Sequence, residues 1–208
     1  MLENEGNAPG DWDLAEAAGR GDEAAFGALT ERHQASVHRF IFRSVGEEET
    51  ARDLTQEVFV RAWFALPKLS RKAKLTTWLF QVAVNICRDH AKSKGARQKR
   101  VTGSITQEEG EERQLAHAGA TPDKILEQKE MERILDTEIR RLPSELLQPF
   151  LLGSVEGHPY KEVAVMLELS AKAVEVRVYR ARKILMQRLG ERPEIRVGKV
   201  GNSGGEPD

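Results

Sequence analysis

Through both halves of this chain the apolar residues frequently return every three or four positions, and nowhere do they alternate with polar ones long enough to make a strand. That pattern restricts the chain to an all-α fold. From Asp22, the residues Phe26, Leu29, Val37, Phe40 and Ile41 follow one helical stripe as far as Gly46. A second helix is expected over 48–65, with Ala51, Leu54, Val58 and Ala62 on its buried stripe and Phe59, Trp63 and Leu66 beside it; Pro67 stops it. Thr76 or Thr77 is expected to cap a third helix that buries Leu79, Val82, Ala83 and Ile86. Its other face carries Trp78, Gln81, Asn85, Asp89 and Lys92, an aromatic and polar stripe, and the basic segment KSKGARQKR ends it.

Residues 101–121 have little apolar content and no sustained period, which reads as a linker. Helices are expected again at 123–141, at 144–154 after the Leu-Pro pair, at 160–168 and at 170–189; the Gly- and Pro-rich tail beyond is expected to be disordered. The chain thus divides into two small helical domains, 10–95 and 123–189, joined by a flexible linker over 96–122 and followed by a tail over 190–208. In the second domain a tight turn at Leu169 and Ser170 separates two helices, and Ser170 is well placed to cap the second of them: a helix-turn-helix. On the last helix Val174, Val178, Ala181, Leu185 and Leu189 form the buried stripe. The opposite face, centred on Val176, shows Lys172, Tyr179, Arg180, Lys183 and Gln187, with Glu175 and Arg182 on one flank and Arg177 on the other.

Charge is balanced overall, with 32 basic and 33 acidic residues, so net charge predicts no affinity for nucleic acid. Its distribution does. Residues 1–31 hold eight acids against the single Arg20, whereas 68–100 hold ten Lys or Arg against Asp89 alone. A second acidic block at 108–130 precedes a second basic one at 172–188. Two basic zones alternating with acidic ones point to a polyanion touched at two places, unless both are merely solvated helix faces. Arginine and lysine neutralise phosphates and bond bidentately to guanine, and a major groove admits one helix.

Cys87 is the only cysteine, which excludes an internal disulfide and fits a reducing compartment. Cys87 and His90 are spaced like metal ligands, but no second pair completes a site, so neither metal nor cofactor is expected. No signal pattern and no apolar run near the about 20 residues of a membrane span is present, and a cytoplasmic chain without direct membrane insertion is expected.

Taken together, RDLTQEVFVRAW, TTWLFQVAVNICRDHAKS and, after LP, PYKEVAVMLELSAKAVEVRVYRARKIL resemble regions two and four of a bacterial RNA polymerase sigma factor of the small, extracytoplasmic-function type. The resemblance spans both modules, in order. It implies no catalytic residue of the chain's own. Asp53, Gln56, Glu57 and Arg61 would grip the clamp helices of the largest subunit of core RNA polymerase, and the second module would meet the flap of the second subunit. Lys68, Arg71, Lys72, Lys74, Thr77, Trp78, Gln81, Asn85, Arg88 and Asp89 would melt and read the minus-ten promoter element, where flipped bases need stacking partners and pockets. Ser170, Lys172, Glu175, Val176, Tyr179, Arg180, Arg182 and Lys183 would face the minus-thirty-five element of the promoter DNA. The acidic linker would thread toward the RNA exit path, and an anti-sigma factor would hold the protein inactive. Two other readings compete: a helix-turn-helix regulator acting without polymerase, and a helical interaction protein that binds no DNA.

The chain departs from the family where Ala173, Glu175 and Val176 replace the more usual Thr, basic residue and Ser. Val176 could touch a thymine methyl, and Glu175 could accept from a cytosine amino group or pair instead with Lys172, three residues earlier.

Overall fold

The computed structural model describes residues 9–100 and 122–191, with side chains over 9–93 and 131–191; the linker reading at 101–121 and the tail beyond 191 lie outside the described residues. All regular structure among them is helical. The first module comprises α1 (Asp11–Gly19), α2 (Glu23–Val45), α3 (Glu48–Ala65) and α4 (Leu75–Arg100). Asp22 caps α2 by accepting from the Ala25 N–H at 3.0 Å. Gly46 ends it with φ 82°, a left-handed conformation that costs glycine little, and its N–H reaches the Phe42 carbonyl at 2.8 Å.

Helix α1 lies before the first helix expected from sequence. It is short, and it buries only Leu14, Ala15 and Ala18, so small alanines stand where a periodic signal needs bulk. Between α2, α3 and α4 the side chains of Val37, Phe40, Ile41, Val58, Ala83 and Ile86 are buried essentially completely. Each larger member of that set contributes about 1.5–3 kcal/mol of hydrophobic stabilisation.

The second module comprises α5 (Pro122–Arg140), α6 (Ser144–Phe150), α7 (Tyr160–Leu167) and α8 (Ala171–Gly190). The expected continuous helix over 144–154 is corrected: α6 ends at Phe150 and a π turn follows over Leu151–Val155. Pro149 has no N–H to give, and the widened turn is closed by the Glu156 N–H on the Leu151 carbonyl at 2.9 Å. Helix α7 also stops one residue early. Glu168 takes φ 57° while the Leu169 N–H returns to the Ala164 carbonyl at 2.9 Å, which turns the chain sharply into α8. Ser170 caps α8 as expected, accepting from the Ala173 N–H at 3.1 Å.

The two modules pack on one another, α4 against α7 and α2 against α5, over a continuous apolar core. Helix α4 therefore has two buried stripes. Leu79, Ala83 and Ile86 belong to the first module's interior, while Thr77, Phe80, Val84 and Arg88 recur at i, i+3, i+7 and i+11 on the side that meets the second module. Phe80 stands edge-on to Phe40 at 5.6 Å and to His158 at 4.8 Å. Val82, expected inside, is only partly buried and packs against the core from its edge.

Candidate nucleic-acid and protein interfaces

Helix α3 turns Leu54, Val58 and Ala62 inward and leaves Asp53 and Gln56 exposed, with Glu57 beside them in an ion pair with Arg61. On the same face, at i+7 and i+11 from Asp53, stand Val60 and Phe64, 54% and 74% exposed. Two large apolar side chains thus stand in water beside a polar stripe. Sequence reasoning missed both, although their helical phase already set them off the buried stripe.

The basic loop and α4 behave differently, because Arg71, Lys74, Thr77 and Arg88 among their functional candidates are already engaged. Lys68 and Lys72 are exposed. Arg71 is held by α1: its Nε donates to Glu16 Oε1 at 2.6 Å and its Nη2 to Asp13 Oδ1 at 3.0 Å. Lys74 Nζ lies 2.9 Å from Glu162 Oε1, and the Thr77 hydroxyl donates to the other oxygen of the same carboxylate at 2.9 Å. Neither Thr76 nor Thr77 caps α4; the helix begins with the Trp78 N–H on the Lys74 carbonyl, and Thr77, 3% exposed, spends its hydroxyl on the second module. Arg88 meets Glu168 at 3.5 Å. Trp78, Gln81 and Asn85 are half-buried along the rest of the stripe, and Asp89 is exposed.

The outer face of α8 is open. Tyr179 is 68% exposed, and Lys172, Arg180 and Lys183 stand around it. Val176 is 37% exposed at the centre of this face. Glu175 is paired with Lys172 at 2.9 Å, both well exposed, so the i, i+3 ion pair is formed in the free chain. Arg182 donates to the Ser154 hydroxyl at 3.2 Å and Ser170 is committed to its cap, so both are engaged within the second module.

Burial shifts the titration of Cys87 and of His158. Burial pushes the Cys87 thiol up to about 12, overriding a hydrogen bond with Ser44, so the free thiol is inert near neutrality. Among the described residues no cluster of His, Cys, Asp or Glu could hold a metal ion. Burial also pushes the His158 imidazole below its ordinary 6.5; the Glu162 carboxylate opposes the shift and the Lys74 ammonium adds to it. Between that depressed value and 6.5 the unfolded chain binds more protons than the folded one. Stability is therefore complete above 6.5 and is lost as the pH falls toward the depressed value. Urea midpoints at neutral pH and at pH about 5.5 are expected to differ more for the parent than for His158→Gln, since the ordinary histidine titrates in that window. An equal difference in both would assign the pH dependence to other groups.

Residues 29–97 match the family model for sigma-70 region 2, and residues 132–185 that for sigma-70 region 4, in that order and together over more than half of the chain. The chain belongs to the sigma-70 family of RNA polymerase sigma factors. Within that family its relatives place it in the extracytoplasmic-function (ECF) type. It is 29% identical to the RNA polymerase sigma-H factor of Pseudomonas aeruginosa, over 84% of this chain and 91% of that one. With the ECF RNA polymerase sigma-E factor of Escherichia coli it shares 27% identity over 83% of this chain and 90% of the relative. The solved structure of CnrH, in complex with the cytosolic domain of CnrY, matches with a TM-score of 0.61 and 28% identity, covering 86% of this chain and 97% of CnrH. RpoE of Bartonella quintana, solved with the anti-sigma factor NepR, shares the fold at a TM-score of 0.67 and 17% identity, over 80% of this chain and 97% of RpoE.

As a sigma factor the chain binds core RNA polymerase and directs promoter-specific initiation of transcription. The match of the first module to region 2 sets aside a helix-turn-helix regulator that works without polymerase. No helix among the described residues is long and apolar enough to cross a membrane.

Proposed function

We propose a division of labour in which α3 docks on polymerase, the loop and α4 open and read the minus-ten element, and α8 reads the minus-thirty-five element as duplex. The polymerase contact is made through Asp53, Gln56, Glu57 and Arg61, extended by Val60 and Phe64, on the clamp helices of the largest subunit. The second module meets the flap of the second subunit. On α4 the stacking and hydrogen-bonding residues are Trp78, Gln81, Asn85 and Asp89, with Lys68, Lys72, Lys74, Thr77 and Arg88 supplying grip. On α8 they are Val176, Tyr179, Arg180 and Lys183, flanked by the Lys172 and Glu175 pair.

The observation that carries this reading is the contrast in exposure. The α3 stripe and the α8 face are open to solvent, whereas Lys74, Thr77 and Arg88 are held by Glu162 and Glu168 of the second module. Promoter DNA reaches α4 only after the modules separate, and binding to polymerase through the exposed α3 stripe is the step that separates them. The protein works in the cytoplasm with polymerase, and an anti-sigma factor of the kind bound to RpoE restrains it. The modules correspond to 10–95 and 123–189, and the acidic linker runs between them toward the RNA exit path.

Mixing the purified chain with core polymerase and a promoter library is expected to yield specific transcripts. Asp53→Ala combined with Gln56→Ala is expected to weaken core binding by about tenfold or more, the scale of losing two interface hydrogen bonds to a desolvated partner. Unchanged binding by the double variant would remove α3 as the docking surface.

A further inference from the structure

Helix α1 lies outside the region matched by either family model and has no role in the division above. It runs along the whole basic loop at 66–74. At its C-terminal end Gly19 approaches so closely that a β-carbon there would sit 3.2 Å from the Leu66 carbonyl oxygen and 3.4 Å from the Pro67 Cα. In its middle Glu16 and Asp13 divide the Arg71 guanidinium between them. Near its start the Trp12 indole N–H donates to the Ala73 carbonyl at 3.1 Å, and the Arg71 guanidinium lies 5.9 Å from the Trp12 ring centroid.

Trp12, Glu16 and Gly19 recur at i, i+4 and i+7, one face of the helix. Along that face the loop is met at Leu66, at Arg71 and at Ala73, running opposite to α1. Leu66, Leu69 and Leu75 complete the contact by packing into a small apolar cluster with Leu14, Ala15 and Ala18. The helix is itself fastened to α2, where Arg32 donates to Asp11 at 2.7 Å and to the Pro9 carbonyl at 3.1 Å.

We infer that α1 is a splint for the promoter-melting loop, that Trp12, Asp13 and Glu16 are positioning residues for strand opening, and that Arg71 is a strut between helix and loop rather than a contact to DNA. This rests on the reading that the loop and α4 meet the minus-ten element. A free loop carrying Lys68, Arg71, Lys72 and Lys74 would sample many conformations, and ordering it at the moment of strand opening would fall on the promoter-binding step. The splint moves that cost into folding. Each ion pair is exposed and weak singly, but backbone, ring and carboxylate contacts hold the loop at both ends and in the middle. Neutralising Arg71 in this way, with Lys74 paired to Glu162, also leaves Lys68 and Lys72 as exposed loop cations that can meet phosphate.

The test uses full-length chain with core polymerase. Arg71→Glu, and separately Asp13→Lys with Glu16→Lys, are expected to slow open-complex formation on a duplex promoter by roughly ten- to a hundredfold, the usual cost of a group misplaced by about 1 Å. Core binding and transcription from a pre-melted promoter should be retained. Combining the three substitutions restores the pairing with reversed signs, and is expected to recover most of the lost rate. A triple variant as slow as Arg71→Glu alone would overturn the proposal, because a strut tolerates reversal and a phosphate contact does not. Should the charge reversals unfold the module, Trp12→Phe, which removes only the indole N–H and part of the ring, decides by the same comparison; an unaltered rate sinks the splint. Parent chain that initiates nowhere would instead refute the minus-ten reading itself.

Discussion

Phe80→Ala is expected to lower the unfolding free energy by about 3–5 kcal/mol, the range for truncating a fully buried phenylalanine. For a chain of this length that corresponds to a fall in Tm of roughly 6–20 °C. Phe80 is chosen because it belongs to two interiors at once. Its ring meets Phe40 of α2 on one side and His158, just ahead of α7, on the other, and it is 3% exposed. Truncation therefore leaves a cavity at the seam rather than within one bundle. The expectation has a second half: the second module should loosen from the first before either unfolds, so that near-neutral solutions of the variant scatter X-rays as a more extended particle. Val58→Ala supplies the control, since Val58 is equally buried but belongs to the inward stripe of α3 and should lower Tm without changing the particle's dimensions. A Phe80→Ala protein that melts within about 2 °C of the parent, a difference worth under about 1 kcal/mol at the usual entropy of unfolding, would show that the seam is not packed as described.

The seam escaped the sequence for a physical reason. A stripe at helical spacing announces one buried face, and on α4 the set Leu79, Ala83 and Ile86 satisfied that expectation. Phe80 and Val84 are just as apolar, but a second apolar stripe on the same helix has meaning only when a second body is known to lie against it. The spacing of Thr77, Phe80, Val84 and Arg88 was on view, yet two of its four members are polar, and their partners Glu162 and Glu168 lie far along the chain in the other module. The helices at 22–46 and 48–65, the helix-turn-helix and the cap at Ser170 were legible because each is specified by residues within a few positions of one another. Helix α1 was not, since alanines bury well but give a weak period. The π turn after Pro149 depends on how the freed carbonyls find donors, and a sequence does not display that. At the candidate sites, residue type and helical phase correctly marked Asp53, Gln56, Tyr179, Arg180 and Lys183 as surface. They could not show that Arg71, Lys74, Thr77 and Arg88 are occupied.

That occupancy makes Glu162 the residue whose change should matter most to promoter access. Glu162→Lys is expected to shift the balance between packed and separated modules by about 3 kcal/mol, or on the order of a hundredfold, from the loss of two charge-assisted hydrogen bonds and the new repulsion. One carboxylate takes the Lys74 ammonium at 2.9 Å on one oxygen and the Thr77 hydroxyl at 2.9 Å on the other. Burial pushes its pKa up, yet the bonds from Lys74 and Thr77 outweigh that and hold it below the usual carboxylate range. The depressed pKa means that this contribution is fully present at neutral pH and is lost only as the solution is acidified through the lowered value. Lysine at 162 would face Lys74 instead. The module that covers Thr77 would then leave, exposing the α4 stripe without polymerase. A fluorescent single strand carrying the minus-ten sequence should bind the free variant far more tightly than the free parent, and the particle should lengthen in solution scattering. Glu191→Lys makes the same change in net charge at the exposed end of α8, and separates a real opening from added electrostatic attraction. Tighter binding in both variants alike, with unchanged dimensions, would mean that charge alone is responsible and that Glu162 does not hold the modules together. Tighter binding in Glu162→Lys only, with a longer particle, would identify one carboxylate as the latch between α4 and the helix-turn-helix of the second module.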